Sequence, residues 1–533
     1  MTNTKIEFKT LNEQPAVDVC ILRNQQSIEF EFNPQKYSIV NLDNAELFTN
    51  LNSIRRFYVK TKISKAAIYE YYLLLKSSPE LKIIKEAKRN YVVENLSLHI
   101  QETGGDIYLS DQYIFSNNMY HLLGGPFWSE QEARHHSSCL NQLTPCSVYR
   151  KQISKAEGVV EIFDRDCDYV TEVANGFKLL SCEDAAYFKL LNISYNKVNE
   201  ELTVHEDLFF HGNLNVTIDE HDCLCAVNRV NLDQYLQGVI CSEMSETVAE
   251  EFAKSMAIVT RSQVFSRMSQ LHAEEPFDFC NDGHCLRYFG RKVNNPIIIQ
   301  AVKHTKGLVL EHNGRVLNTY FNYSCGGHTE TPSGVWDNND CSYLTSKPDH
   351  KNKDGHTLDL STESGVNEWI LSRPNVYCKD IPKESAYVLK DAADAFRWEV
   401  FYTRNELENL LYEKTGQDVG LMYEILPIKR GSSGRIKELD ILGSLKNINI
   451  KGELNIRSAL APGLLNSSCF FVRTETDQDG VPINFYLIGA GKGHGIGLCK
   501  SGAAAMAKEH KTAKEIIKHY FEKCNINRIY SYD

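Results

Sequence analysis

Val230-Asn-Leu-Asp-Gln-Tyr-Leu-Gln-Gly-Val-Ile-Cys-Ser-Glu243-Met-Ser-Glu-Thr-Val-Ala-Glu-Glu-Phe-Ala-Lys-Ser-Met-Ala-Ile-Val-Thr-Arg261 is the stretch on which the reading of this chain turns. Before it, Leu214, Val216 and Ile218 alternate, Asp219-Glu-His-Asp222 turns, and Cys225, Val227, Val230 and Leu232 continue, which is the pattern of a hairpin. At its far end Thr247 and Glu250 form a capping-box pair, and Phe252, Met256 and Val259 share one apolar face. The spacing predicts a helix from Thr247 to about Leu271. Between these elements an apolar run from Tyr235 ends in one carboxylate, Glu243, placed just before that helix. Burial there raises a carboxyl pKa and a helix N-terminus lowers it, and sequence does not rank the two.

Outward from this stretch, Ala16 to Leu22 and Ile28 to Phe32 read as strands of a half-buried sheet. Residues 44–157 change character and are treated as an inserted or separate region; Ile68, Tyr71, Tyr72 and Leu75 fall near helical spacing within it. Residues 158–205 form a β-rich connection between the N-terminal strands of 1–43 and a domain of residues 206–533. Towards the end, Tyr486 to Gly489 reads as a strand and Ser501 to Glu509 as a helix. Thr512 and Glu515 then cap a last helix whose face is Ala513, Ile516, Ile517, Tyr520 and Phe521. Mixed strands and helices of this kind give an α+β class, with a β-rich N-terminal part and a large insertion.

The chain has 533 residues, 42% apolar and 24% charged, enough for several domain-sized cores. A net charge of -11 without a basic stripe argues against a nucleic-acid partner. The N-terminus lacks a signal-peptide core, and no stretch of eighteen apolar residues predicts a membrane span. The expectation is a cytoplasmic chain whose sixteen cysteines are mostly reduced thiols.

Two further clusters carry chemistry. His272, Cys280, His284 and Cys285 offer two imidazoles and two thiols, the donor set of tetrahedral zinc, although Cys-x₃-His-Cys is not a finger spacing; a reduced pair beside two surface histidines is the alternative. Gly489-Ala-Gly-Lys-Gly-His-Gly-Ile-Gly497 looks superficially like a phosphate loop, but it lacks Gly-Lys-[Ser/Thr] and is followed by too few residues for a second βαβ half. Its glycines instead permit close backbone approach, with His494 either facing a cleft or packed.

Three blocks in order resemble the SpoIID/LytB family. They are Tyr235-Leu-Gln-Gly-Val239 with Glu243-Met244 and Ala257 to Ser262; Ser324-Cys-Gly-Gly-His-Thr-Glu330 with Val335-Trp336 and Tyr343-Leu344; and Gly493-His-Gly-Ile-Gly-Leu498 with Gly502-Ala503. The resemblance covers roughly Glu206 to Tyr530 and leaves extra sequence around Glu363 to Asn466. It implies Glu243 as catalytic acid/base and His494 as an orienting group. It also implies substrate contacts from Tyr235, Arg261, Gly326, Gly327, Gly493 and Gly495, and a structural zinc on His272, Cys280, His284 and Cys285. The implied activity is lytic transglycosylation of peptidoglycan. The β-1,4 bond between N-acetylmuramic acid and N-acetylglucosamine is cleaved, and the muramic C6 hydroxyl closes a 1,6-anhydro ring. One carboxylate then suffices, where hydrolysis commonly uses two. Such a substrate lies in the cell envelope. Some relatives are amidase enhancers, which makes a non-catalytic glycan binder with a cell-wall amidase partner the rival reading; a zinc hydrolase is the other. One departure stands out: where the family has Ser-Gln or Cys-Gln, this chain has Cys499-Lys500.

Overall fold

The computed structural model describes residues 4–48, 55–90, 96–140, 146–164, 168–196, 203–244, 248–281, 285–290, 295–336, 341–351, 358–379 and 395–531. Helices and strands are mixed, as expected of an α+β chain, and the sheets stay open.

Two large sheets dominate the N-terminal half. The alternation in Ser27–Phe32 buries Ile28, Phe30 and Phe32 and leaves the residues between them half-exposed. This strand lies in a six-stranded sheet with Arg55–Lys65, Glu157–Asp164, Tyr169–Ala174, Tyr187–Asn196 and Thr203–His211. The sheet therefore draws strands from both sides of residues 44 and 157. What stands apart is a smaller unit of Ile68–Ser78, Leu98–Thr103, Met119–Phe127 and Ser147–Ser154, with helices Leu81–Asn90 and Glu130–Leu140 over its own small core. Helical spacing misled at Ile68–Ser78, which is a strand. Its run of β-branched, aromatic and leucine side chains suits a pleated surface, and periodicity alone does not separate short apolar elements.

The second sheet holds Gln14–Gln25 beside the hairpin Asn213–Ile218 and Leu224–Asn231. The chain then turns directly into a helix, Leu232–Glu243, whose Asn231 side chain accepts from the Asp233 N–H as an N-cap. The apolar run is thus the buried face of a helix. Glu243 stands at that helix's C-terminal end, not ahead of an N-terminus. The next helix, Glu250–Arg267, starts later than Thr247, behind Ala249 and without a side-chain cap; Thr247 lies outside the described residues. It runs through the core with even Thr260, Arg261 and Ser262 fully buried. Ser262 is satisfied there: it donates to the Ile258 carbonyl at 2.7 Å and accepts from the Leu310 N–H at 2.8 Å.

The C-terminal half carries a second core. Two three-stranded sheets and the helices Arg404–Thr415 and Glu453–Ala459 enclose Leu407, Met422, Ile436, Leu439, Phe485 and Leu487. The chain then returns to the main core through Lys500–Lys508 and Ala513–Tyr520, the latter with the anticipated Thr512/Glu515 capping box. No helix among the described residues is long and apolar enough to cross a membrane.

Candidate functional site

Glu243 meets Lys500 across the junction of two helices. Lys500 Nζ lies 2.5 Å from Glu243 Oε2 and 3.4 Å from the Glu243 carbonyl oxygen. The carboxylate closes the C-terminal end of Leu232–Glu243, and the lysine opens the N-terminal end of Lys500–Lys508. Each charge sits where its own helix dipole disfavours it, so the two offset each other's misplacement. The lysine also passes near the rings of Phe321 and Tyr323, at 5.7 and 5.3 Å from their centroids. Both side chains are largely enclosed, Lys500 at 7% and Glu243 at 14% exposure. Burial is the strongest influence on Glu243 and raises its pKa. The charge and hydrogen bond of Lys500, with Arg287 further off, outweigh it and hold the carboxyl below its ordinary 4.5. At neutral pH the group is a carboxylate.

His494 comes from the glycine-rich loop and packs on Trp336, with ring centroids 5.1 Å apart, and on Tyr320 at 6.3 Å. The Ile496 N–H donates to its Nδ1 at 3.0 Å, so the neutral ring carries its proton on Nε2. Burial, aided by the charges of Arg435, Arg457 and Arg267, pushes its pKa down to about 3. Among the described residues Glu243 has Lys500 as its side-chain hydrogen-bond partner, so the structure does not join His494 to Glu243.

Two expected substrate contacts belong to the interior instead. Tyr235 is fully buried, with Phe279 and Tyr288 against its ring. Arg261 is fully buried as well and donates to the carbonyls of Thr305 at 2.7 Å, Leu308 at 3.2 Å and Val302 at 3.4 Å, closing the end of the helix Pro296–His304. Neither presents surface to a glycan.

The glycines join the second and third blocks. Gly326 has φ +72°, and a Cβ there would come within 2.7 Å of the Gly491 nitrogen. Gly495, at φ +78°, leaves room for Arg435, which a Cβ would meet at 2.4 Å. Gly327 is buried against Trp369, while Gly493 is half-exposed, and a Cβ there would meet nothing closer than Asn322 Cβ at 3.7 Å. Glu330 is fully enclosed: Ser432 donates to it at 2.8 Å, the Ser433 hydroxyl at 2.7 Å, and the Ser433 and Thr331 N–H groups at 2.8 and 2.9 Å. It is a structural acceptor.

Of the His/Cys cluster, His272, Cys280 and Cys285 converge with their donor atoms within 4.8 Å of one another; His284 lies outside the described residues. His272 Nε2 is 3.3 Å from Cys285 Sγ. Cys280 also pairs in parallel with Cys20, tying the cluster to the strand Gln14–Gln25.

Sequence reasoning noticed Lys500 as a departure but missed its role as the partner of Glu243, because the two are 257 residues apart. A cation replacing an amide beside a catalytic motif was the available signal.

Two family models match the chain: a stage II sporulation protein model over residues 220–312, and a domain of unknown function (DUF8618) over residues 330–497. An uncharacterized protein of Brachyspira hyodysenteriae is 27% identical over 321 residues, covering 60% of this chain and 72% of that protein. An amidase enhancer of Bacillus subtilis is 23% identical over 54% of this chain and 39% of its own length. Stage II sporulation protein D of the same organism is 22% identical over 57% of this chain and 76% of its own length. The first of these models spans the segment that carries Glu243, and with these relatives it supports the likeness of this chain to the SpoIID/LytB family.

Proposed function

We propose that this protein acts on peptidoglycan glycan strands as a binding and activating module of the amidase-enhancer kind, its Glu243 occupied by Lys500. The ion pair carries the reading. A general acid must hold a proton at working pH, and a buried carboxyl 2.5 Å from an ammonium group gives that proton up. The name of the Bacillus subtilis amidase enhancer supports a cell-wall amidase as partner.

A second reading is lytic transglycosylation. Glu243 protonates the leaving oxygen, then takes the proton from the muramic C6 hydroxyl as the 1,6-anhydro ring closes. The partial exposure of Glu243 at a helix end supports it. This route requires Lys500 to leave the carboxylate when glycan binds.

Digestion of denuded glycan strands, with mass spectrometry of the products, separates the two. The native protein should bind strands without cutting them. Lys500→Gln, which restores the family's amide, should gain cleavage with anhydro ends, by roughly 10²–10⁴-fold, the usual worth of general acid/base work. Cleavage by the native protein that is lost in Glu243→Gln would establish the second reading.

The proposal includes a structural zinc on Cys280, Cys285 and His272, with His284 as fourth ligand by the sequence. The fit rests on the convergence of two thiols and an imidazole. Zinc there would supply a cross-link and no open coordination position. The residues themselves already hold the Phe279–Cys280 segment on the strand Gln14–Gln25.

A further inference from the structure

Next to Lys500 in the chain, Cys499 belongs to a second cluster of buried thiols. Cys325, Asp349, Cys378 and Cys499 are all buried, and their donor atoms lie within 4.8 Å of one another. Cys325 comes from the Gly-Gly block and Cys499 from the end of the Gly-His-Gly block. Asp349 and Cys378 come from the segment between them. We propose that these four residues bind a tetrahedral metal ion, zinc by the softness of three thiolates, at a site separate from the His272 cluster.

The spacing fits an ion and not a disulfide. Cys325 Sγ lies 3.7 Å from Cys378 Sγ and 3.7 Å from Asp349 Oδ2. Sulfurs about 2.3 Å from a tetrahedral zinc stand about 3.8 Å apart, whereas a disulfide bond is about 2.05 Å long.

The surroundings are those of oriented ligands. His519 Nε2 lies 2.8 Å from Asp349 Oδ1, and the Tyr520 hydroxyl donates to the same oxygen at 3.0 Å. That fixes the carboxylate with Oδ2 towards the sulfurs. The Cys325 and Gly502 N–H groups point at Cys499 Sγ from 3.2 and 3.4 Å, at the N-cap of Lys500–Lys508, where the helix dipole favours a thiolate. Two cations stand close by: Arg435 donates to the Cys325 carbonyl at 3.3 Å and Arg397 to the Gly326 carbonyl at 2.9 Å. The carboxylate is closely packed on its helix side, since a Cβ on Gly502 would come within 2.7 Å of Asp349 Oδ2. A carboxylate 1% exposed among three thiols is costly to bury, and a divalent ion offsets that cost.

The placement gives the ion a task. Cys325 and Cys499 flank the 330–497 segment that matches the domain of unknown function, so the metal would clamp both ends of that segment. Cys499 also directly precedes Lys500, and the clamp would fix the lysine against Glu243.

The full-length protein, produced with ample zinc and purified without chelator, should carry about two zinc ions per chain by elemental mass spectrometry. The double variant Cys280→Ser, Cys285→Ser should keep about one, and Cys325→Ser, Cys378→Ser should keep the other. Cobalt loaded into the Cys280→Ser, Cys285→Ser protein should show thiolate-to-metal charge transfer and the strong visible bands of a tetrahedral site. This readout does not require the second variant to fold. One zinc in the native protein, kept by Cys280→Ser, Cys285→Ser, would refute the His272 site and uphold this one. A Cys280→Ser, Cys285→Ser protein without zinc or cobalt bands would overturn it, as would a native protein two hydrogens lighter through a Cys325–Cys378 disulfide.

Discussion

Two glutamates stand in the family's motif blocks, and the fold treats them in opposite ways. Glu330 is fully enclosed by hydroxyl and backbone donors and has no cation as a hydrogen-bond partner among the described residues. Glu243 keeps a little exposure and answers to one charged side chain, the Lys500 ammonium. Neutral donors rigidly placed make a carboxylate part of the architecture. A single lysine makes its charge state adjustable, since removing one residue leaves burial to decide. The same residue type in two motif contexts therefore carries different chemistry, and the partner defines it.

The largest expected effect is on stability at Glu330. Glu330→Ala leaves Ser432, Ser433 and Thr331 donors buried without an acceptor, and should cost about 3–5 kcal/mol in urea denaturation, counting roughly 1–3 kcal/mol per stranded group with strong non-additivity. A loss under about 1 kcal/mol would erase the contrast with Glu243.

This architecture was only partly legible in the sequence. The hairpin, the Thr512/Glu515 cap and the position of Glu243 at an element boundary all follow from local pattern, and the structure keeps them. Which boundary it was did not follow. Leu232–Glu243 is a helix whose buried side faces the core, so its apolar residues looked like a plain run, and the dipole at Glu243 has the opposite sign to the one expected. Ile68–Ser78 failed for the complementary reason, a strand whose side chains fall by chance near helical spacing. Tyr235 and Arg261 were legible as motif members but not as core residues, because a motif records both contacts and packing. The thiols of Cys325, Cys378 and Cys499 were invisible as a group, since only folding brings 325 and 499 together.

The next effect sharpens the comparison through pH. Glu243 has a depressed pKa in the folded state. The pair's stabilisation is thus fully present above the ordinary 4.5 and lost as pH falls through the depressed value. In Lys500→Gln burial prevails and the carboxyl pKa rises, so that variant loses stability as pH rises through the raised value. The native protein should therefore exceed Lys500→Gln by about 2–4 kcal/mol at pH 7, with the gap closing towards pH 4. A gap independent of pH would mean that packing, not charge, joins the two residues.

The smallest effect concerns His494. Its pKa of about 3 keeps the ring neutral from pH 5 to 8, so its proton NMR signals should not titrate over that range. Glycan binding should carry no histidine step there either. A midpoint near 6.5 would place His494 in solvent and return it to the candidates for proton transfer.

The central claim is that Lys500 holds Glu243 ionised, and the carboxyl titration measures it directly. In protein labelled with ¹³C at glutamate Cδ, the resonance absent from Glu243→Gln identifies the site. In the native protein that resonance should titrate below 4.5, and in Lys500→Gln above it. A native Glu243 that titrates above 4.5, or the same midpoint in both proteins, would contradict the account.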